Sequence, residues 1–368
     1  MALKLLTLPA GSGKTAWVVG QIRKSAAGLQ TQPRVVLPSQ LQVRDFELRL
    51  AKAGGGMGVQ VGTIVDLASE ILEVGGVFRL LLSETLQIKT LRIVLNGLEL
   101  GYYQGIKAKP GFVRSCLGII RELKAGGISP EDFTSAAEES AQGPRLIELG
   151  WVYAAYQDKL EENGWSDRAG LTWLAAETLQ QQPGLCRDWD SIYLDGFDDL
   201  TPVQLQLMNS LAERVEDFYL TLTGSLDGRE RELVHKRFLR LRKSLDSGVI
   251  EELQLDLEAA PGPAGLAAFF EQNLFTKKVH EGGQVQGEIR LAAVPDREAE
   301  VRNALRWLKD RILSDGIQPS ETALMARNLQ PYLGLISRIA QEYKLPVHIQ
   351  GGLPLSENPL IAAITKLV

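Results

Sequence analysis

Residues 8–15 read Leu-Pro-Ala-Gly-Ser-Gly-Lys-Thr, and no other stretch constrains the fold as tightly. An apolar run at 4–8 precedes them and the helix-forming sequence AWVVGQIRKSA follows, which predicts strand, glycine loop, helix. In such a loop Gly11 and Gly13 let the backbone turn so that successive N–H groups from Ala10 through Thr15 face one oxyanion. Lys14 then reaches the terminal phosphates, the Thr15 hydroxyl ligates magnesium, and Ser12 completes the turn. The helix opening near Lys14 adds the positive end of its dipole. The general pattern G-x-x-x-x-G-K-[ST] places glycine where Leu8 stands. The plain alternative is a Gly-Ser turn followed by a chance Lys-Thr.

The sequence beyond the loop alternates. PRVVLPSQ at 33–40 reads as a buried strand, a helix closed by glycines follows, then the short strand GVQVG and the helix IVDLASEILEVGG. Strands alternating with helices predict a doubly wound α/β fold, a parallel sheet covered on both faces. From 81 to 183 the helical period dominates, with Gly and Pro breaks, so an all-helical insertion interrupts the sheet. The sheet resumes at DSIYLDGFDDLTPVQ, where residues 191–194 form a strand that delivers Asp195 to its C-terminal edge. An apolar strand ending in Asp beside a phosphate loop is the Walker B arrangement, whose carboxylate holds magnesium; the competing reading is an Asp that caps the next turn. Thr201 is placed to cap the following helix, with Pro202 at its first position. Pro261, Gly262 and Pro263 give the clearest linker signal. A second α/β block follows, with strands expected at GQVQGEIRLAAVP, ETALMARN and PVHIQGG, and a last apolar helix near Asn358. The expected organisation is therefore a P-loop domain at 1–80 and 184–258, the insertion at 81–183, and the opening of a second α/β domain at 264–368, cut before its end.

Composition removes whole classes. Lys+Arg 40 against Asp+Glu 45 gives a net charge of −5, so any polyanion must be met by a local patch. Such a patch exists at 229–243, RERELVHKRFLRLRK, which carries a net +5 while the remaining chain carries −10. On a helix Val234, Phe238, Leu241 and Leu245 share one face and Lys236, Arg240 and Lys243 line its flank, either for phosphates or as a solvated or partner-docking face. The stretch GYYQGIKAKPGFVR offers Tyr102, Tyr103, Lys107, Lys109 and Arg114 for stacking and backbone contacts, although tyrosine pairs are also common at core edges. Cys116 and Cys186 are far apart and His235, His280 and His348 scattered, so no zinc or iron–sulfur spacing exists and no Ser-His-Asp or Cys-His scheme is supported. Neither a membrane-length apolar run nor a cleavable leader is present, which predicts a cytoplasmic protein.

At this point the chain resembles the superfamily-one helicase-like B subunit of the AddAB type of bacterial ATP-dependent helicase–nuclease. LPAGSGKT resembles its first helicase motif, where the first glycine is relaxed, and VVLPSQLQVRDFELRL its second strand with Pro-Ser-Gln. GFVRSCLGIIRELKAGGISPEDF is similar to its helical insertion, YLDGFDDLTPVQLQLM to its Walker B segment, and the stretch from REAEVRNALRWLKD to ENPLIAAI to the opening of its second motor-like domain. The resemblance implies a RecA-like P-loop domain at 1–80 and 184–258 and the start of a second RecA-like domain at 264–368, with ATP and magnesium as cofactors, and DNA and an AddA-type helicase–nuclease subunit as partners. By position it carries over only Lys14, Thr15, Asp195 and Arg327 as phosphate-contacting residues. It also exposes departures. Active motors follow the Walker B Asp with a water-polarising Glu, whereas Gly196 follows Asp195. Their Gly-Asp-x-x-Gln reads here Gly224, Ser225, Leu226, Asp227, Gly228, without the γ-phosphate sensor. The resemblance therefore implies a non-motor subunit with weak or absent ATPase and no catalytic residue in this stretch, the nuclease domain lying beyond Val368. The alternative from another class is a free-standing P-loop enzyme such as a small-metabolite kinase.

Overall fold

The computed structural model describes residues 3–28, 31–140, 143–224, 232–245, 250–253, 265–275, 287–349, 360–361 and 363–364. The expected linker at 261–263, the segment 225–228 and the start of the last helix near 358 lie outside them. The chain divides into two compact units, residues 1–286 and 287–368.

The first unit opens with β1 (Leu3–Leu8), α1 (Lys14–Ala26), β2 (Arg34–Leu37), α2 (Gln40–Lys52), β3 (Gln60–Thr63) and α3 (Ile64–Val74). After the insertion come β6 (Ser191–Leu194), α9 (Pro202–Ala212), β7 (Asp217–Thr223), α10 (Glu232–Ser244), β8 (Ile250–Glu252) and α11 (Gly265–Asn273). The six strands pair in the order β3-β2-β6-β7-β1-β8, every pairing parallel. This is the parallel α/β sheet that the alternation of strands and helices predicts, in the RecA-like arrangement that the resemblance implies. The period of 2 along the strands divides two cores between the faces. Val35, Leu37 and Tyr193 join Val18, Ile22 and Phe46 from α1 and α2 on one face. Val36, Ile192, Leu194, Leu220 and Leu222 meet α3, α9 and α10 on the other. Strand β8 and helix α11 are elements that the sequence pattern does not reveal.

Between the halves of the sheet lie β4 (Leu80–Leu81), α4 (Glu84–Gly97), α5 (Pro110–Ala125), α6 (Pro130–Glu138), α7 (Gly143–Glu162), β5 (Trp165–Ser166) and α8 (Arg168–Gln181). The insertion is not all helical: Leu80 pairs with Trp165 and Leu81 with Ser166 in a parallel two-residue ladder where the chain enters and leaves it. Two residues are too few to show a strand period. The insertion has a core of its own, built from residues such as Leu91, Leu95, Val113, Leu117, Val152 and Tyr156. Leu171, Ala175, Ala176 and Leu179 of α8 instead enter the sheet-side core and so tie the insertion to the sheet.

One polar pair sits deep in this junction. Lys124 donates to Asp167 Oδ2 at 2.8 Å with only 2% and 1% of the side chains exposed, and Asp167 Oδ1 also accepts from the Gly170 N–H to cap α8. Removing one partner strands a buried charge. Lys124→Met is therefore expected to destabilise the first unit by about 3–5 kcal/mol, read as a fall in the urea midpoint.

The second unit contains α12 (Arg297–Ser314) and α13 (Leu333–Tyr343), which bury Val301, Leu305, Ile336, Ile339 and Ala340 between them. The strands expected within 283–295, 321–328 and 346–352 are corrected here: none of their described residues forms a ladder. A strand exists through hydrogen bonds to a neighbouring strand, and these segments pair with none among the described residues. Leu291 and Met325 are accordingly 96% and 88% exposed.

Candidate nucleotide-phosphate site

Strand β1 ends at Leu8, and the loop after it turns through two left-handed glycines, Gly11 at φ 76° and Gly13 at φ 83°. Both conformations are cheap only for glycine. Helix α1 starts at Lys14 with Gly13 as its cap, no side-chain cap and no acid in its first turn. Helices α2, α4, α8 and α9 each have a Ser, Thr or Asp side chain on that turn. The first N–H groups of α1 thus remain available to an anion. Ala10 and Gly11 are exposed at the loop's crest and Ser12 is buried beneath it.

The Lys14 ammonium lies back across the loop, donating to the carbonyls of Leu8 at 3.1 Å and Pro9 at 2.8 Å. Burial pushes it below its ordinary pKa, opposed by the negative charges of Asp195 and of Glu271 on α11. Thr15 Oγ1 donates to Asp195 Oδ2 at 2.7 Å, and Thr221 Oγ1 of β7 donates to Asp195 Oδ1. Asp195 itself is 3% exposed, its backbone N–H bound to the Val36 carbonyl at 3.1 Å. A hydroxyl that gives its proton to a carboxylate keeps its lone pairs for a cation. Thr15 and Asp195 are therefore an all-oxygen pair of the type a magnesium ion prefers.

The position after the carboxylate is equally defined. Gly196 has φ 80°, and a Cβ there would lie 3.2 Å from Gln42 Nε2. Gln42 is set by the start of α2, where Ser39 Oγ donates to Gln42 Oε1 at 2.8 Å. Gly224, at the end of β7, sits under the Phe238 ring of α10, with 2.8 Å from its would-be Cβ to the ring. That contact leaves no room for a side chain.

The structure thus brings Ala10 to Thr15 and Asp195 together at one edge of the sheet. Arg327 belongs to the second unit, on an exposed bend after a segment that is not a strand. Lys236, Arg240 and Lys243 are exposed along α10, whose Phe238, Leu241 and Leu245 are buried. Arg240 and Arg237 lie 3.5 Å and 3.7 Å from the exposed Asp199 and Asp198. In the insertion loop Lys107 is held by the Leu98 carbonyl at 2.6 Å, Lys109 is exposed, Tyr103 is buried and Tyr102 is 61% exposed. Three backbone N–H groups, from Gly101, Tyr102 and Tyr103, converge on the Glu148 carboxylate. Burial raises that carboxyl, but the three donors outweigh it and hold the group below its ordinary range. Cys116 and Cys186 are buried free thiols pushed up to about 11 and about 12 by desolvation. Among the described residues no cluster of His, Cys, Asp and Glu is arranged for a metal, and no helix is long and apolar enough to cross a membrane.

Residues 6–247 match the family described as ADDB, N-terminal. The chain is similar along its whole length to proteins described as the B subunit of an ATP-dependent helicase/deoxyribonuclease. It is 27% identical over 393 residues to that of Moorella thermoacetica, covering 99% of this chain and 34% of the relative. It is 25% identical to that of Desulforudis audaxviator, covering 99% and 33%, and 23% identical to that of Alkaliphilus metalliredigens, covering 100% and 33%. The chain therefore spans about a third of the length of these curated relatives.

Proposed function

The chain belongs to the AddB family, and from that membership we propose that it forms the helicase-like, nucleotide-holding part of the B subunit of a DNA end-processing helicase–nuclease. In this reading it binds ATP and magnesium at Lys14, Thr15 and Asp195, contacts DNA, and works beside an AddA-type subunit with little or no hydrolysis of its own. The carrying observation is the pairing of an intact phosphate cradle with a glycine next to the magnesium carboxylate: Thr15 and Asp195 are in contact at 2.7 Å while Gly196 offers no side chain. Phosphoryl transfer is catalysed by positioning and charge stabilisation, so loss of the residue that orients the attacking water leaves binding and slows turnover. The alignment of relatives along this whole chain supports a helicase–nuclease subunit over a free-standing small-metabolite kinase.

Magnesium, when bound, neutralises charge on the β- and γ-phosphates. Thr15 and Asp195 would hold it and Thr221 would orient the carboxylate. A fluorescent ATP analogue titrated with magnesium, and again with EDTA, tests the assignment. The analogue is expected to bind more tightly with magnesium, and Asp195→Asn to lose most of that difference; a magnesium effect of undiminished size in the variant contradicts it.

A further inference from the structure

Along the C-terminal edge of the sheet the phosphate loop follows β1 and Asp195 follows β6, while β2, the next strand beyond β6, runs into Pro38, Ser39 and the start of α2. Ligands of parallel sheets lie outside that edge. The side chain that the start of α2 brings to it is Gln42. Its amide nitrogen is 3.2 Å from the position a Cβ would take on Gly196, the residue directly after Asp195.

The amide is held in one orientation. Ser39 Oγ accepts the Gln42 backbone N–H at 3.4 Å, as the cap of α2, and donates to Gln42 Oε1 at 2.8 Å. A Ser/Thr-x-x-Gln helix start commonly turns the glutamine back onto the cap's own backbone N–H, as Gln204 does to Thr201 at 2.9 Å. Gln42 does not make that bond. Its oxygen is spent on Ser39, and its Nε2 makes no hydrogen bond among the described residues. Two N–H donors are thereby left beside the carboxylate that contacts Thr15.

In the nucleotide site proposed above, the loop N–H groups take the inner phosphates and magnesium at Thr15 and Asp195 bridges β- and γ-oxygens. A donor next to that carboxylate, one strand further from the loop, is left with the third phosphate. Hydrogen bonds to a charged oxygen are the strong class. The same chemistry separates recognition from hydrolysis. A water is activated by a group that accepts its proton, and Gln42, with its oxygen occupied and its nitrogen a donor only, accepts none.

We propose that Gln42 is the residue by which this site distinguishes a nucleoside triphosphate from a diphosphate, its Nε2 donating to the third phosphate. The proposal rests on the nucleotide-binding reading above and names the group that sets its specificity.

The test is a competition in which the β,γ-imido analogue of ATP, and separately ADP, displace the fluorescent ATP analogue in the presence of magnesium. Gln42→Ala removes the donor and is expected to lower the preference for triphosphate over diphosphate about tenfold or more, with ADP affinity changed less than about twofold. Gln42→Glu keeps the size, completes a Ser-x-x-Glu start that favours α2, and sets a negative charge against the third phosphate. It is expected to lower the preference at least as far. Equal losses for both nucleotides would make Gln42 a support of the fold alone, and an unaltered chain without the preference, or variants that keep it, would leave the third phosphate unread by this residue. Each of these results overturns the proposal while the nucleotide-binding reading stands. If the unaltered chain binds neither nucleotide, both are overturned.

Discussion

Lys14→Ala is expected to abolish measurable binding of a fluorescent ATP analogue. The side chain places its ammonium at the loop, where it spans the Leu8 and Pro9 carbonyls, the place the terminal phosphates would take in the proposed site. A hydrogen bond to a charged group contributes about 1.5–3 kcal/mol, so losing two to phosphate oxygens weakens binding by a factor on the order of 10²–10⁴. The loop's glycine geometry and the free N–H groups of α1 persist in the variant, so its thermal midpoint should move little. An unchanged affinity in a folded Lys14→Ala protein removes the phosphate role from this loop.

The second large effect is kinetic. Turnover of ATP by the chain is expected to be too slow to detect over several hours, against an enzyme median near 10 s⁻¹, because no side chain stands after Asp195, the proposed magnesium carboxylate, to orient water. Restoring a carboxylate at that position does not repair it. Gly196 occupies a left-handed conformation that costs an ordinary residue about 1–2 kcal/mol, and its Cβ would come within 3.2 Å of the Gln42 amide. Gly196→Glu is thus expected to be less stable and no faster. A Gly196→Glu protein hydrolysing ATP at several turnovers per second would show that the backbone there is already arranged for catalysis.

The elements that were legible share a property: their signal is local. The loop from Ala10 to Thr15 declares itself by glycine spacing, and the strand Ser191–Leu194 by the apolar run Ile192–Leu194 between polar residues. The Thr201 cap with Pro202 behind it forms as expected, Thr201 and Gln204 bonding each other's backbone. What stayed hidden depends on neighbours distant in sequence. Thr221 stands beside Asp195 because Leu194 pairs with Leu220 in register, and no feature of β7 alone announces that. Gln42 covers Gly196 only because α2 begins at the edge of the adjacent strand. Lys107 looks like a free cation in the sequence, yet the fold spends it on the Leu98 carbonyl. The apolar segments of the second unit illustrate the converse, since a strand-like sequence becomes a strand only when a partner is present.

A site that binds without turnover keeps its nucleotide intact, and identifying what is bound after long incubation measures this directly. Radiolabelled ATP with magnesium is mixed with the protein, the complex is separated on a sizing column after several hours, and the label is resolved by chromatography. Recovery of the bound label as ATP, with none retained by Lys14→Ala, is the expected result; bound label recovered as ADP from the unaltered chain contradicts the account.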